Sequence, residues 1–230
     1  VQVETWGQYD GLTKALLATG EFSKTSQKHR FLFKGVPVDF VPFGALAGRD
    51  KVLRWPPEQE IIMSVLGFQE AFDHALTVRL STAPLLEVKV PTLADLALIK
   101  LIAWNDAYYY PNRQKDAEDL LFIMQSYENA GNRERLYAEE AQTILEEEGF
   151  DTRLAGVRLL GRDMASLANP DTRQAAKAIL DKETGERPWH QLAFDMLKGH
   201  IPIEEKLEEI TQLLEKLNKG FSEGARTGGA

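Results

Sequence analysis

Asp39 is a carboxylate inside an apolar run, VPVDFVPFG, that has the composition of a β-strand. Side chains alternate between the two faces of a strand, so Asp39 points the same way as Val41. A buried carboxylate without a partner is costly. Two interpretations follow: an edge-strand acid bonded to a loop or to an arginine, or a ligand of a hard cation such as Mg²⁺, which prefers carboxylate oxygens.

Lys100 is a cation in the middle of an apolar helical segment, PTLADLALIKLIAW. In one interpretation its stem covers apolar surface while the ammonium stays in water. In the other, the ammonium faces a cleft and meets a phosphate as a compact point charge. The pattern alone leaves both open.

Asp116 and Asp119 are neighbours on one face of the next helical segment, NRQKDAEDLLFIM, because they are three residues apart. Acids in a first turn suit the positive end of the helix dipole, which is a sufficient structural reason for both. The alternative is that Asp116 faces Lys100 as a structural or catalytic partner.

The elements that must position these residues change in type along the chain. A helix over YDGLTKALLATGEF, a hairpin of HRFLFK and VPVDFV around Gly35, and a second pair of strands, ALTVRLS and LLEVKV, come first. The segment GALAGRDKVLRWPPEQE between them is rich in Gly and Pro and is predicted to be a loop. After Pro91, helices are predicted at roughly 92–109, 115–128, 133–147, 151–168, 171–183, 187–198 and 203–219.

The predicted fold class is therefore α+β, with a small mixed sheet and flanking helices followed by an all-helical C-terminal domain. The predicted domains are residues 1–91, the α/β core, and residues 92–219, the helical domain. Residues 220–230, GFSEGARTGGA, are rich in glycine and are predicted to be a disordered tail.

Composition excludes several classes of function. The chain of 230 residues has no cysteine, so disulfides and thiolate chemistry are excluded, and its four histidines lack the spacing of a zinc site. The net charge of −8 argues against diffuse attraction to nucleic acid. We find no P-loop, no dinucleotide fingerprint, no signal peptide and no apolar run long enough to span a bilayer, so a cytoplasmic location without membrane contact is expected.

Taken together, three blocks resemble a known family. FKGVPVDFVPFGALAG with WPPEQE and MSVLGFQEAF, then VKVPTLADLALIKLIAWND, then KDAEDLLFIMQSY, are similar to bacterial nucleotidyltransferases grouped with the AbiEii/AbiGii toxins, within the DNA polymerase beta-like superfamily. AGVRLLGRDMASL resembles the helical region further along, and the resemblance covers roughly residues 1–200.

The resemblance implies a metal-dependent transfer of a nucleotide from an NTP to a hydroxyl, with Mg²⁺ or Mn²⁺ as cofactor. It implies that Asp39 is the third metal-binding carboxylate, compensated by a cation or by the Lys100 ammonium. Lys100 and Asp116 match later catalytic positions, Lys100 also contacting the nucleotide. The implied partners are the nucleotide, an acceptor such as an RNA end or a protein, and an antitoxin-type protein.

The chain departs from the family pattern at its start. The sequence contains no Gly-Ser turn followed by Asp-x-Asp, and VQVETW matches the end of the strand that carries this pair, so the α/β core is expected to lack its N-terminal part here. Either the pair lies upstream of Val1, or the chain is a catalytically degenerate binding module of toxin–antitoxin type. A third reading is an α/β domain with a helical extension and no nucleotide site.

Overall fold

The computed structural model describes residues 1–48, 50–57, 59, 62–106, 113–197 and 204–227. Backbone packing divides the chain into an N-terminal unit, Val1–Gln69, and a C-terminal unit, Glu70–Ala230. The strands are β1 Phe22–Lys24, β2 Arg30–Phe33, β3 Val36–Asp39, β4 Val52–Arg54, β5 Ile62–Ser64, β6 Leu76–Thr82 and β7 Leu85–Val90. The helices are α1 Trp6–Ala18, α2 Phe68–Asp73, α3 Leu93–Asp106, α4 Arg113–Ser126, α5 Glu139–Glu147, α6 Thr152–Leu167, α7 Pro170–Thr184, α8 Gln191–Met196 and α9 Glu204–Thr227.

The N-terminal unit is built on an antiparallel sheet in the order β1-β2-β3, so β3 is an edge strand. Lys34 and Gly35 connect β2 to β3, and both have positive φ, as a tight hairpin turn requires. The extended segment at Val1–Val3 runs parallel to the chain just after β3, with the amide of Val3 donating to the carbonyl of Phe43 over 3.0 Å.

An aromatic cluster fills the core of the N-terminal unit. Trp55 is 3% exposed and packs against Trp6 and Tyr9, with ring centroids 5.2 and 5.5 Å away. Burial, with a contribution from Asp10, raises the pKa of Tyr9 to about 12. The Tyr9 hydroxyl therefore stays protonated and donates to the carbonyl of Phe40 over 2.8 Å.

The C-terminal unit begins within α2, continues with the β6–β7 hairpin and is otherwise helical among the described residues. Apolar residues of α9 are buried at helical spacing: Ile210, Leu213, Leu214, Leu217 and Phe221. Long apolar helices of the kind that cross a bilayer do not occur among the described helices.

The α9 helix crosses α6 closely because glycines remove side chains from the contact. A Cβ placed on Gly161 of α6 would lie 2.7 Å from the backbone nitrogen of Phe221, and one on Gly220 of α9 would lie 2.8 Å from the carbonyl carbon of Arg158. Next to this contact the buried Arg158 side chain, 3% exposed, bonds Glu148 over 2.8 Å and Glu223 over 2.6 Å.

The α+β fold class is confirmed, and each helix predicted after Pro91 has a counterpart. Helix α5 begins at Glu139 and not at 133, and α9 continues past the predicted end at 219 to Thr227. Residues 107–109, 198 and 203 of the predicted helices lie outside the described residues. The strands form three small antiparallel sheets, and the predicted loop at 44–60 contains β4, whose three residues pair with β5. The predicted disorder from 220 is wrong as far as Thr227, because Phe221 is fully buried in α9; residues 228–230 lie outside the described part.

The division between the two packing units falls before the predicted boundary near Pro91. The β6–β7 hairpin consequently belongs to the C-terminal unit in its packing. Pro91 marks the change from strands to helices, and the assignment of residues 1–91 and 92–219 to two functional domains stays a prediction.

Candidate functional site

The Lys100 ammonium lies between two carboxylates of the following helix. Its Nζ is 2.8 Å from Asp116 Oδ1 and 2.7 Å from Asp119 Oδ2. The two acids reach the same ammonium because residues three apart on a helix share a face. The pairing of Lys100 with Asp116 was one of the two alternatives that the sequence left open, and Asp119 completes a three-residue group that we call the Lys100 cluster.

Burial and charge act in opposite directions on the Lys100 ammonium. Its side chain is 26% exposed, and desolvation alone would lower its pKa. Hydrogen bonds from the ammonium to Asp116 and Asp119 outweigh that effect, so the pKa is raised above the ordinary value and the ammonium stays charged. The cluster thus holds one charged ammonium in place between two partly exposed acids.

A buried polar contact fixes the helices that carry the cluster. Trp104, near the end of α3, donates through Nε1 to Asp195 Oδ2 over 2.8 Å, and Arg113, at the start of α4, donates to the same oxygen over 2.5 Å. The guanidinium of Arg113 also lies 5.0 Å from the centre of the Trp104 ring. Since α8 holds both helix ends, the positions of Lys100 and Asp116 are set by the packing of three helices.

Asp39 has an arginine partner on the neighbouring strand. Arg30 lies opposite Asp39 in the β2–β3 register and donates through Nε to Oδ1 over 2.6 Å and through Nη2 to Oδ2 over 2.7 Å. This two-bond contact is the usual strong geometry between arginine and a carboxylate. The compensation expected from a cation or from Lys100 is therefore supplied by Arg30, and Asp39 is 40% exposed in its side chain.

An arginine was among the possible partners of Asp39 in the sequence analysis, but Arg30 was not identified, although the hairpin itself predicts this residue. With Phe33 opposite Val36 across a two-residue turn, the antiparallel register places Arg30 opposite Asp39. The sequence signal for this ion pair was an arginine, Arg30, directly across the predicted hairpin from an acid, Asp39. Asp39 belongs to the N-terminal unit, whereas Lys100 and Asp116 belong to the C-terminal unit.

A two-metal centre needs several carboxylates that converge on one point. The described part of the chain contains no group of three or more His, Asp or Glu residues arranged to hold a metal ion. Asp39 is one carboxylate, and both of its oxygens are bonded to Arg30. These residues alone do not fit a two-metal centre, and the assignment of Asp39 as a metal ligand stays a prediction.

Comparison with known proteins gives one family match. Residues 19–215 match the family described as nucleotidyl transferase AbiEii toxin, type IV TA system. No curated protein and no solved structure matched the chain. The matched range contains Asp39, Lys100 and Asp116 and includes most of the chain, so the protein belongs to the nucleotidyl transferase AbiEii toxin family.

Proposed function

We propose that the protein transfers a nucleotide from an NTP to a hydroxyl group on a second molecule. The hydroxyl oxygen forms a bond to the α-phosphate, the bond between the α- and β-phosphates breaks, and pyrophosphate leaves. The observation that carries this proposal is the Lys100 cluster, in a chain of a nucleotidyl transferase family. A lysine ammonium is a common partner of phosphate oxygens. The cluster holds that charge in one place before a nucleotide arrives.

Each predicted residue has a defined task in this reaction. Lys100 binds a phosphate of the nucleotide and stabilises negative charge that develops there during transfer. Asp116 orients the ammonium through the 2.8 Å hydrogen bond. Asp39 would supply one carboxylate toward the Mg²⁺ or Mn²⁺ that the resemblance implies, and such an ion would neutralise phosphate charge when bound.

The acceptor is a hydroxyl on an RNA end or on a protein, and the family description also favours an antitoxin as a protein partner. The direct test incubates the purified protein with each α-³²P-labelled NTP, with Mg²⁺ or Mn²⁺, and with total RNA or cell protein. Transfer of label to one macromolecule class, lost in Lys100→Ala, supports the proposal. No transfer under any condition, together with no binding of any NTP, contradicts it.

A second candidate is a binding module that keeps the family fold without the chemistry. It is favoured by one observation, the engagement of both Asp39 oxygens by Arg30. Such a module would bind its antitoxin-type partner equally well with Asp39→Ala and would label no acceptor. Partner binding without transfer separates it from the enzyme.

A further inference from the structure

A pocket of about 260 Å³ lies in the N-terminal unit, in front of the start of β2. Helix α1, the β1–β2 loop and the residues after β4 form its walls. The residues that matter for its chemistry are three cations and the aromatic residues of the core: Lys24, Lys28, Arg30, Trp6, Tyr9 and Trp55. None of these residues belongs to the Lys100 cluster.

The lining carries more positive than negative charge, although the whole chain has a net charge of −8. Lys24 is exposed and has no acidic partner among the described residues. Lys28 donates from Nζ to the carbonyl of Pro56 over 2.9 Å, which holds its ammonium at the wall. Asp10 is the one acid that lines the pocket within the described residues. A local excess of cations in an acidic protein favours an anionic ligand.

Trp55 adds a second, independent observation. The residue is 3% exposed, and its indole Nε1 has no hydrogen-bond partner within the described part of the chain. Buried donors are almost always paired, so an unpaired donor in the lining of a pocket favours a ligand that accepts its hydrogen bond. A phosphate oxygen is a strong acceptor for the hydrogen bond of such an N–H donor.

Arg30 connects the pocket to Asp39. Its guanidinium lines the pocket and at the same time holds both oxygens of Asp39. A guanidinium binds a phosphate with the same two-bond geometry as a carboxylate. A phosphate in the pocket therefore competes with Asp39 for Arg30.

We propose that this pocket binds the phosphate group of a small phosphate ester, and that the phosphate takes Arg30 from Asp39. Lys24 and Lys28 supply charge, Trp55 supplies a neutral donor, and the partly exposed Trp6 faces the organic part of the ester. Phosphate binding in this pocket does not depend on the proposed function. Only the further step, in which Asp39 would become available to a metal ion once Arg30 has left it, rests on the proposed function.

The test follows the indole N–H signals of the ¹⁵N-labelled protein by NMR. The chain has four tryptophans, and Trp55→Phe assigns the signal of interest. The probes are adenosine 5′-monophosphate, inorganic phosphate and adenosine. We expect the Trp55 signal to move downfield with the two phosphates and not with adenosine. We also expect the Lys24→Ala/Lys28→Ala variant to bind at least tenfold more weakly, while Lys14→Ala, an exposed lysine of α1 outside the pocket, binds normally.

The same titration distinguishes the two possible ligands, a phosphate ester and the free phosphate ion. Tighter binding of adenosine 5′-monophosphate than of inorganic phosphate supports an ester, and equal binding overturns that part in favour of the free ion. A Trp55 signal that responds to neither phosphate, or that responds equally to adenosine, overturns the site.

The exchange at Arg30 has its own variant. Asp39→Asn removes the competing charge, so phosphate should bind several-fold more tightly to this variant than to the unaltered protein. Unchanged affinity overturns the exchange. Because these measurements need no transfer reaction, they stand or fall separately from the proposed function.

Discussion

Lys100 and Asp116 occupy consecutive helices and are joined by a 2.8 Å hydrogen bond, with Asp119 on the other side of the ammonium. In the proposed function this ammonium binds a nucleotide phosphate. We expect Lys100→Ala to lower transfer by about 100-fold, the usual effect of removing one well-placed donor. Labelled-NTP transfer measures the loss, and Lys115→Ala, an exposed lysine next to Asp116, is the matched control.

The two acids of the cluster should not be equivalent. Asp116 is 23% exposed and Asp119 is 41% exposed, so water screens the Asp119 contact more. We expect Asp116→Asn to weaken NTP binding and transfer more than Asp119→Asn. Parallel assays of both variants test this order, and a larger defect in Asp119→Asn would contradict it.

Asp39 gives a prediction that separates chemistry from folding. Because Asp39 is on an edge strand and the side chains of Arg30 and Asp39 are 37% and 40% exposed, loss of this pair should leave the melting temperature almost unchanged. We expect Asp39→Asn to abolish metal-stimulated transfer in a fully folded protein. Thermal unfolding and transfer, measured on the same preparation with Mg²⁺ and with EDTA, check both halves. Transfer at the original rate would remove Asp39 from the site.

The glycines between α6 and α9 should be intolerant of even one methyl group. A Cβ on Gly220 would overlap the backbone at Arg158, which cannot move aside as a side chain can. We expect Gly220→Ala to lower the free energy of unfolding by about 1–3 kcal/mol, the range seen for overpacked cores. Denaturant unfolding provides the measurement.

Gly11→Ala is the control for that experiment. Gly11 lies in α1, and a Cβ there meets nothing within 4 Å. Alanine has the higher helix propensity, so this variant should be more stable by roughly 0.5–1 kcal/mol. Equal effects of the two substitutions would show that helix propensity, and not the α6–α9 contact, determines the result.

The charged residues beside the α6–α9 contact make the stability of the protein depend on pH. Burial opposes ionisation of Glu148, but the hydrogen bonds from Lys216 and Arg158 prevail and lower its pKa below the ordinary value of 4.5. A lowered pKa in the folded state means that this stability is complete above pH 4.5 and is lost as the pH falls through the folded value. Chemical denaturation at a series of pH values should show the loss, and Glu148→Gln should reduce the slope.

The sequence predicts the helical part of the fold well because its signals are local. Apolar spacing and capping fix the helices, and the position of Lys100 on an apolar helix raised its pairing with Asp116 on the next helix as one of two alternatives. The Arg30–Asp39 contact depends on a cross-strand register, which a search for charged residues one by one does not reveal. The glycines of α9 give its end the composition of a disordered segment. The structure shows that Gly220 instead allows the backbone of α6 to approach closely.

The α6–α9 contact also sets an order of events during synthesis. Arg158 of α6 donates to Glu223 of α9, and these two residues are 65 positions apart in the chain. A ribosome adds about 5–20 residues per second, so α9 is synthesised several seconds after α6, on which it packs. During that interval the glycine face of α6 and the Arg158 guanidinium stay in contact with water. The C-terminal unit therefore completes its fold only after α9 has been made, and a nascent chain stalled before α9 should remain sensitive to proteases in α6.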